Sequence, residues 1–346
     1  MNSQVSEGSG KRSAPSNYCR ICGMSFVEHS KSYFESHLSS CAAKAIDCAR
    51  RSKDPYLHWK CAVALDLMLD YDNSAVEFKT AAQFFFNLSS TETKIARALF
   101  EYSTLMDAFS NTQQARKFIL ESDLAKALDS LTQAAEILRA TLHFAFLAPY
   151  VSGCATLEIA NSLDVSDEDC LQAYKNAIAL FEQSKIALSF RDENHPLADT
   201  MTAYIKFAIS KALLIEAQNL RIVHSNNKAQ EKENRYNEVR QEYEYFAAKA
   251  GLRPNKIDYL PLLDYLRVET SAYVVGYPDS QSLWLLNIGA HPSRIEKMGQ
   301  QSPNVDLASK DSIPFPLSQL GKGRIYVTYF DNSSNIKYKE GCISLI

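Results

Sequence analysis

The chain has 346 residues, 46% hydrophobic and 22% charged, with a formal net charge of −3. That is long enough for two or three domains with sizeable cores, and it carries no global charge drive toward nucleic acid or anionic membrane. No apolar run reaches the roughly 18 residues a membrane helix needs, and the N-terminus lacks the apolar core of a secretory signal. The expected setting is therefore inside the cell, in the cytoplasm.

Residues 1–17 are rich in Ser, Gly and Asn and predict a disordered tail. A dense cluster of metal-ligating residue types follows. Cys19 and Cys22 form C-x2-C; fourteen residues later His37 and Cys41 form H-x3-C. Two cysteines two apart can hold a metal ion from a tight turn, and Gly23 allows the backbone to turn after them. A His and a Cys four apart share one face of a helix and can close the tetrahedron. His29 competes as a ligand, but its distance from Cys41 does not suit a shared helix face, so His37 is preferred. Phe26, Tyr33, Phe34 and Leu38 supply apolar contacts for a module over 18–50 that is too small for a core of its own. Zinc is the expected cofactor, and its binding would supply much of the folding energy. With four protein ligands there is no open position for substrate, so the site reads as structural. The other five cysteines (Cys48, Cys61, Cys154, Cys170, Cys342) show no pair spacing and read as small buried hydrophobes.

Helical periodicity dominates from about Ser32 to Ala250, with a helical array expected over 54–250. Three segments share one register: Ser74, Phe78, Ala81, Phe85; Ala127, Leu131, Ala134, Leu138; and Cys170, Tyr174, Ala177, Phe181. In each, a small residue is followed at +4 by a large apolar one, at +7 by Ala and at +11 by a large apolar one. These offsets trace one helix face on which small residues admit a close neighbour. Each segment follows a polar, acidic turn (Asp70–Asn73, Glu121–Asp123, Ser166–Asp169) and another apolar helix, so each unit reads as a helix hairpin. The separations of 53 and 43 residues exceed the roughly 34 of tetratricopeptide repeats and leave room for a third helix per unit, such as Glu92–Phe109 or Leu197–Val223. Asn226–Ala250 is highly charged, with a narrow apolar stripe of Tyr236, Val239, Tyr243 and Ala247, and predicts a solvated helix packed on one side.

After Gly251 the pattern changes. Pro254 and Pro261 break the helix, and Ser271–Tyr277, Leu283–Ile288, Arg324–Phe330, Ile336–Tyr338 and Cys342–Ile346 are β-rich runs. A polar stretch, Gly299–Ser312, lies between them. The expectation over 251–346 is a small β-containing module, either separate or docked on the helices. The fold class is thus mainly α, with a zinc finger in front and this module behind.

No catalytic or cofactor-binding residue is assigned beyond the four ligands. There is no phosphate-cradling G-x-x-x-x-G-K-[ST] and no G-x-G-x-x-G. Gly321–Arg324 precedes a strand rather than opening a helix. His58 and Cys61 lie three apart on a helix, where core packing is the simpler reading than a nucleophile pair. His195 sits at a helix start, beside Pro196 and acids. The chain is read as a non-enzyme.

"CRIC…ESHLSSC", carried by Cys19, Cys22, His37, Leu38 and Cys41, resembles the CCHC ubiquitin-binding zinc finger of DNA-damage-tolerance proteins. That family has an acidic residue after His-Leu, where Ser39 stands here, and a shorter loop before the His. The resemblance implies zinc; ubiquitin transfers less well. Leu65–Phe85, Glu121–Leu138 and Leu163–Ser184 resemble hairpins of tetratricopeptide repeats or of the three-helix MIT domain. Those families bind helices or tails of partner proteins, and MIT domains take tails of membrane-remodelling filament proteins. A modest basic stretch, Lys44, Arg50, Arg51, Lys53 and Lys60, is either a phosphate-contacting surface or an exposed helix face. The expected function is a non-enzymatic adaptor in trafficking or autophagy that binds protein partners. The alternatives are a nuclear ubiquitin- or nucleic-acid-binding factor in DNA repair, and an enzyme with an unrecognised site.

Overall fold

The computed structural model describes residues 31–91, 96–142, 144–163, 168–189, 196–250, 252, 257, 274–278, 282–287, 292–298, 301–308, 311–320, 324–331 and 336–344. The expected tail over 1–17 lies outside them. Among the described residues nine long helices come first: α1 (Lys31–Arg50), α2 (Pro55–Leu67), α3 (Tyr71–Thr91), α4 (Ala96–Leu120), α5 (Leu124–Arg139), α6 (Leu147–Ser162), α7 (Glu168–Ser189), α8 (Pro196–Ile222) and α9 (Asn226–Ala250). Each packs chiefly on the next, so the chain builds a helical array in sequence order. The protein is mainly helical, with a C-terminal region of short antiparallel strands. No described helix is long and apolar enough to cross a membrane.

The shared register becomes the core face. All twelve of its residues, Ser74 to Phe85 on α3, Ala127 to Leu138 on α5 and Cys170 to Phe181 on α7, are buried. Full burial of each large side chain there stabilises the fold by about 1.5–3 kcal/mol relative to exposure. The small first position does what close approach requires. Ser74 Oγ donates to the Ala62 carbonyl of α2 at 2.8 Å, and the Cys170 thiol, its counterpart, donates to the Ala160 carbonyl of α6 at 3.4 Å.

The turns repeat as well. Leu69, Ser122 and His224 all have left-handed backbones, with φ of 65°, 60° and 59°. The next residue in each donates its N–H five residues back: Asp70 to Leu65, Asp123 to Phe118 and Ser225 to Leu220, at 2.8–2.9 Å. That pattern satisfies carbonyls left open at a helix end. The same residue then starts the next helix, its carbonyl accepting from Ser74, Ala127 and Ala229. The α8–α9 hairpin therefore shares a turn geometry that its side-chain pattern does not advertise. The unequal separations do not hold a third helix. Glu92–Phe109 overlaps the 25-residue α4, which is the first arm of the second hairpin.

The strands form two antiparallel sheets, ordered β1-β2-β5 and β4-β3-β6-β7. They are β1 (Val274–Pro278), β2 (Ser282–Asn287), β3 (Ser293–Met298), β4 (Val305–Leu307), β5 (Ser312–Pro316), β6 (Arg324–Asp331) and β7 (Ile336–Ser344); a short helix, α10 (Leu317–Leu320), follows β5. Ile336–Tyr338 and the described part of Cys342–Ile346, expected as two runs, belong to one strand. β3 has too few apolar residues to announce itself; a register shift between Ile295 and Lys297 lets Ile295 and Met298 both be buried. Pro314 and Pro316 fall on β5, a sheet edge, where the missing N–H costs no ladder bond.

This module is docked on the helices. Leu283 and Leu285 on β2 are buried, while Trp284, on the opposite face, packs against the helical core together with Leu252 and Ile257. Buried Arg116 of α4 donates to the Asp66 carboxylate and the Ile257 carbonyl, each at 3.3 Å, and stacks over the Tyr71 ring. One guanidinium thus joins α2, α3 and α4 to the chain that leads to the strands.

Gly153 on α6 lies under the buried Phe181 ring, and a Cβ there would come within 2.9 Å of it. The ring cannot swing aside easily, because Tyr150 and Tyr204 pack on it at centroid distances of 5.8 and 5.3 Å. Gly153→Ala should therefore cost about 1–3 kcal/mol by overpacking, against a helix-propensity gain of about 1 kcal/mol. Urea unfolding measures the balance; a raised midpoint would show that the ring yields.

Candidate functional site

Of the four expected zinc ligands, His37 and Cys41 lie on α1, one turn apart and both half-buried. Cys19 and Cys22 fall outside the described residues, as does His29. Among the described residues no other three His, Cys, Asp or Glu side chains gather as a metal group. The short connection after Arg50 makes α1 antiparallel to α2, and Ala49 and Ile46 pack with Cys61 and Leu65. Ala42, Ala45 and Ala49 mark the buried face. At 3.6 residues per turn, His37 and Cys41 lie about a quarter-turn from it, so the half-site flanks the α1–α2 seam.

Ser39 is exposed on α1. The basic stretch does not act as one patch. Arg51 pairs with Asp47 at 2.9 Å and Lys60 is buried, which leaves Lys44, Arg50 and Lys53 exposed.

The larger candidate site is a groove along the α3–α4 seam. Small residues draw these helices together: Ser110 Oγ donates to the Ala75 carbonyl and Ser103 Oγ to the Ala82 carbonyl, at 2.9 and 2.8 Å. The outer rows of side chains become walls, enclosing an open cavity of about 430 Å³. Ala75 and Ser110 form its floor, Asp72, Val76, Lys79 and Gln83 one wall, and Gln114, Lys117 and Phe118 the other. Ion pairs Lys117–Asp72 (2.9 Å) and Lys79–Asp107 span it. It is open, amide-lined and flanked by exposed Val76, which suits a peptide better than a small metabolite. Sequence reasoning missed this groove because its wall residues, at positions such as 72, 76, 79 and 83, read as an ordinary solvated helix face.

The ring nitrogens of His58 engage Glu77 and Ser52 rather than Cys61. Burial, with the charge of Glu77, pushes the Cys61 thiol up to about 12. His58 instead joins three segments. Its Nδ1 lies 2.6 Å from Glu77 Oε2 on α3, and its Nε2 lies 2.9 Å from the Ser52 carbonyl in the α1–α2 connection. A carboxylate and a carbonyl both only accept, so the ring satisfies both as the doubly protonated cation. Burial alone would lower the His58 pKa; the hydrogen bonds to Glu77 and Ser52 and the charges of Glu77 and Asp54 outweigh it and raise the pKa above 6.5.

The chain matches no protein-family model, no curated protein and no solved structure.

The raised pKa sets a pH dependence. The contribution of His58 is complete below the unfolded value of about 6.5 and is lost as pH rises through the higher folded value. The melting temperature of the native chain should fall over that window relative to His58→Gln, measured at fixed zinc; parallel curves would show that the pair does not titrate there.

Proposed function

We propose that the protein is a non-enzymatic adaptor that holds a segment of a partner protein in the α3–α4 groove and carries a zinc-bound CCHC finger at its N-terminus as a second recognition module. The observation that carries this reading is the open groove of about 430 Å³ between two helices fixed by buried contacts. Helical hairpins offer such grooves between rigid walls, where little ordering cost falls on the host. Resemblance of the hairpins to MIT and tetratricopeptide units supports a tail or helix as ligand and a membrane-trafficking or autophagy-like setting. Zinc is supported by the spacing of Cys19, Cys22, His37 and Cys41 and by the placement of His37 and Cys41 on one helix face.

The nuclear alternative has less support. Ubiquitin recognition would need the acid that Ser39 replaces, and a phosphate-binding surface would need Arg51 and Lys60, one ion-paired and the other buried. An enzymatic reading loses support from the His58–Cys61 pair, because burial raises the Cys61 thiol and His58 is engaged by Glu77 and Ser52.

Two measurements test this reading. Native mass spectrometry of the full chain should find one zinc ion, absent in Cys19→Ser and in His37→Ala but retained in His29→Ala; a metal-free native chain refutes the finger. Affinity capture from cells should lose a defined set of partners in a Val76→Glu, Gln114→Arg double variant whose thermal melt is unchanged. Identical capture by both chains would remove the groove from the function.

A further inference from the structure

The α3–α4 seam does not end at the cavity. Following α3 from Val76 through Gln83, the exposed face reaches Phe86, and the facing row of α4 ends at Phe100. These two rings meet at a centroid distance of 6.5 Å, yet Phe86 is 51% and Phe100 53% exposed. Leu142, 55% exposed, has its N–H held by both oxygens of Glu101, the residue after Phe100, at 3.0 and 3.2 Å. An aromatic-rich cluster on a held backbone is the composition of an anchor site, not of a solvated helix end. Resting on the groove reading above, we propose that the whole seam is one docking track for an extended, acidic-flanked peptide segment with two apolar anchors, one seated at Val76 and Phe118, the other between Phe86 and Phe100.

The spacing sets the ligand. Val76 and Phe86 are ten residues apart, about 15 Å along a helix. An extended chain covers that in about four to five residues, and its side chains return to the same face every second residue. The two anchors are therefore four residues apart. The middle of the track decides between an extended and a helical occupant. It is polar: the Lys79–Asp107 ion pair crosses it, and the Gln83 amide makes no hydrogen bond among the described residues. A helix satisfies its own backbone and would bring an apolar stripe to a polar surface. An extended segment brings open N–H and C=O groups, which the Gln83 amide can both donate to and accept from.

Charge completes the assignment. Arg97, one turn before Phe100 on α4, is exposed and has no acidic partner among the described residues. Arg139, three residues before Leu142, is exposed and donates to the Ser152 hydroxyl rather than to a carboxylate. The aromatic end of the track is thus flanked by an uncompensated cation, Arg97. The occupant carries Asp or Glu just outside its second anchor.

A displayed library of fully randomised 12-residue peptides, selected on the full chain, tests this directly. Enriched sequences should share two large apolar residues four apart with an acid beyond one of them. A fluorescently labelled consensus peptide should lose about tenfold or more in affinity on Phe100→Ala and on Arg97→Glu, the size expected for a central anchor and a facing charge. Ile159→Ala, an exposed apolar change on α6, is the control and should leave affinity unchanged. Sequences with helical periodicity overturn the extended occupant. Binding that depends on Val76 and Gln114 but ignores Phe86→Ala and Phe100→Ala overturns the two-anchor track and leaves the groove reading standing. A dimer of the native chain abolished by Phe100→Glu assigns the cluster to a second copy and overturns the proposal. No enrichment overturns both readings.

Discussion

Backbone-close contact between consecutive helices is the constraint on which this structure depends. Ser74, Ser103, Ser110 and Cys170 each reach a carbonyl on a neighbouring helix. Such contact is open only to small side chains. It has two consequences. Large residues one turn away are forced into the core, where Phe78, Phe85, Leu131, Leu138 and Phe181 are sealed. The next rows outward become walls, and between α3 and α4 those walls enclose a groove. Core packing and the candidate binding surface are thus two sides of one arrangement.

The turns keep that arrangement in step. A left-handed residue costs roughly 1–2 kcal/mol without glycine. It recurs at Leu69, Ser122 and His224 because the residue after it closes one helix and opens the next. A connection that serves both ends leaves little freedom in the angle between the arms. The array is then held as one piece with its strands: Arg116 ties three helices to the Ile257 carbonyl, and Trp284 seats β2 on the helical core. At the opposite end, charged His58 links the α1–α2 connection to α3, so the helix carrying His37 and Cys41 joins the array through an ionic contact as well as an apolar seam.

Much of this was legible in the sequence, for identifiable reasons. The +4, +7, +11 register marked the core face because a buried helix face must repeat with the helix period, and burial at all twelve positions follows it. The β-rich runs Ser271–Tyr277, Leu283–Ile288 and Arg324–Phe330 overlap strands β1, β2 and β6, because β-branched and aromatic residues cluster there. β3 and β4 were hidden, since short, half-polar strands in a small sheet differ little from loop. The α8–α9 turn was hidden because its geometry lies in backbone hydrogen bonds that His224 and Ser225 do not announce.

By itself the sequence determined that the chain is mainly helical and where three core faces lie, and it supplied the ligand spacing on which the zinc proposal rests. It could do so because periodicity and ligand spacing are local properties. Only the tertiary structure decided that the hairpins pack in order without a third helix, that the strands dock through Trp284, that His58 pairs with Glu77 rather than Cys61, and that Val76, Phe86 and Phe100 share one seam. Those facts depend on residues brought together across 14 positions or more, and no local pattern encodes which solvated face will meet another.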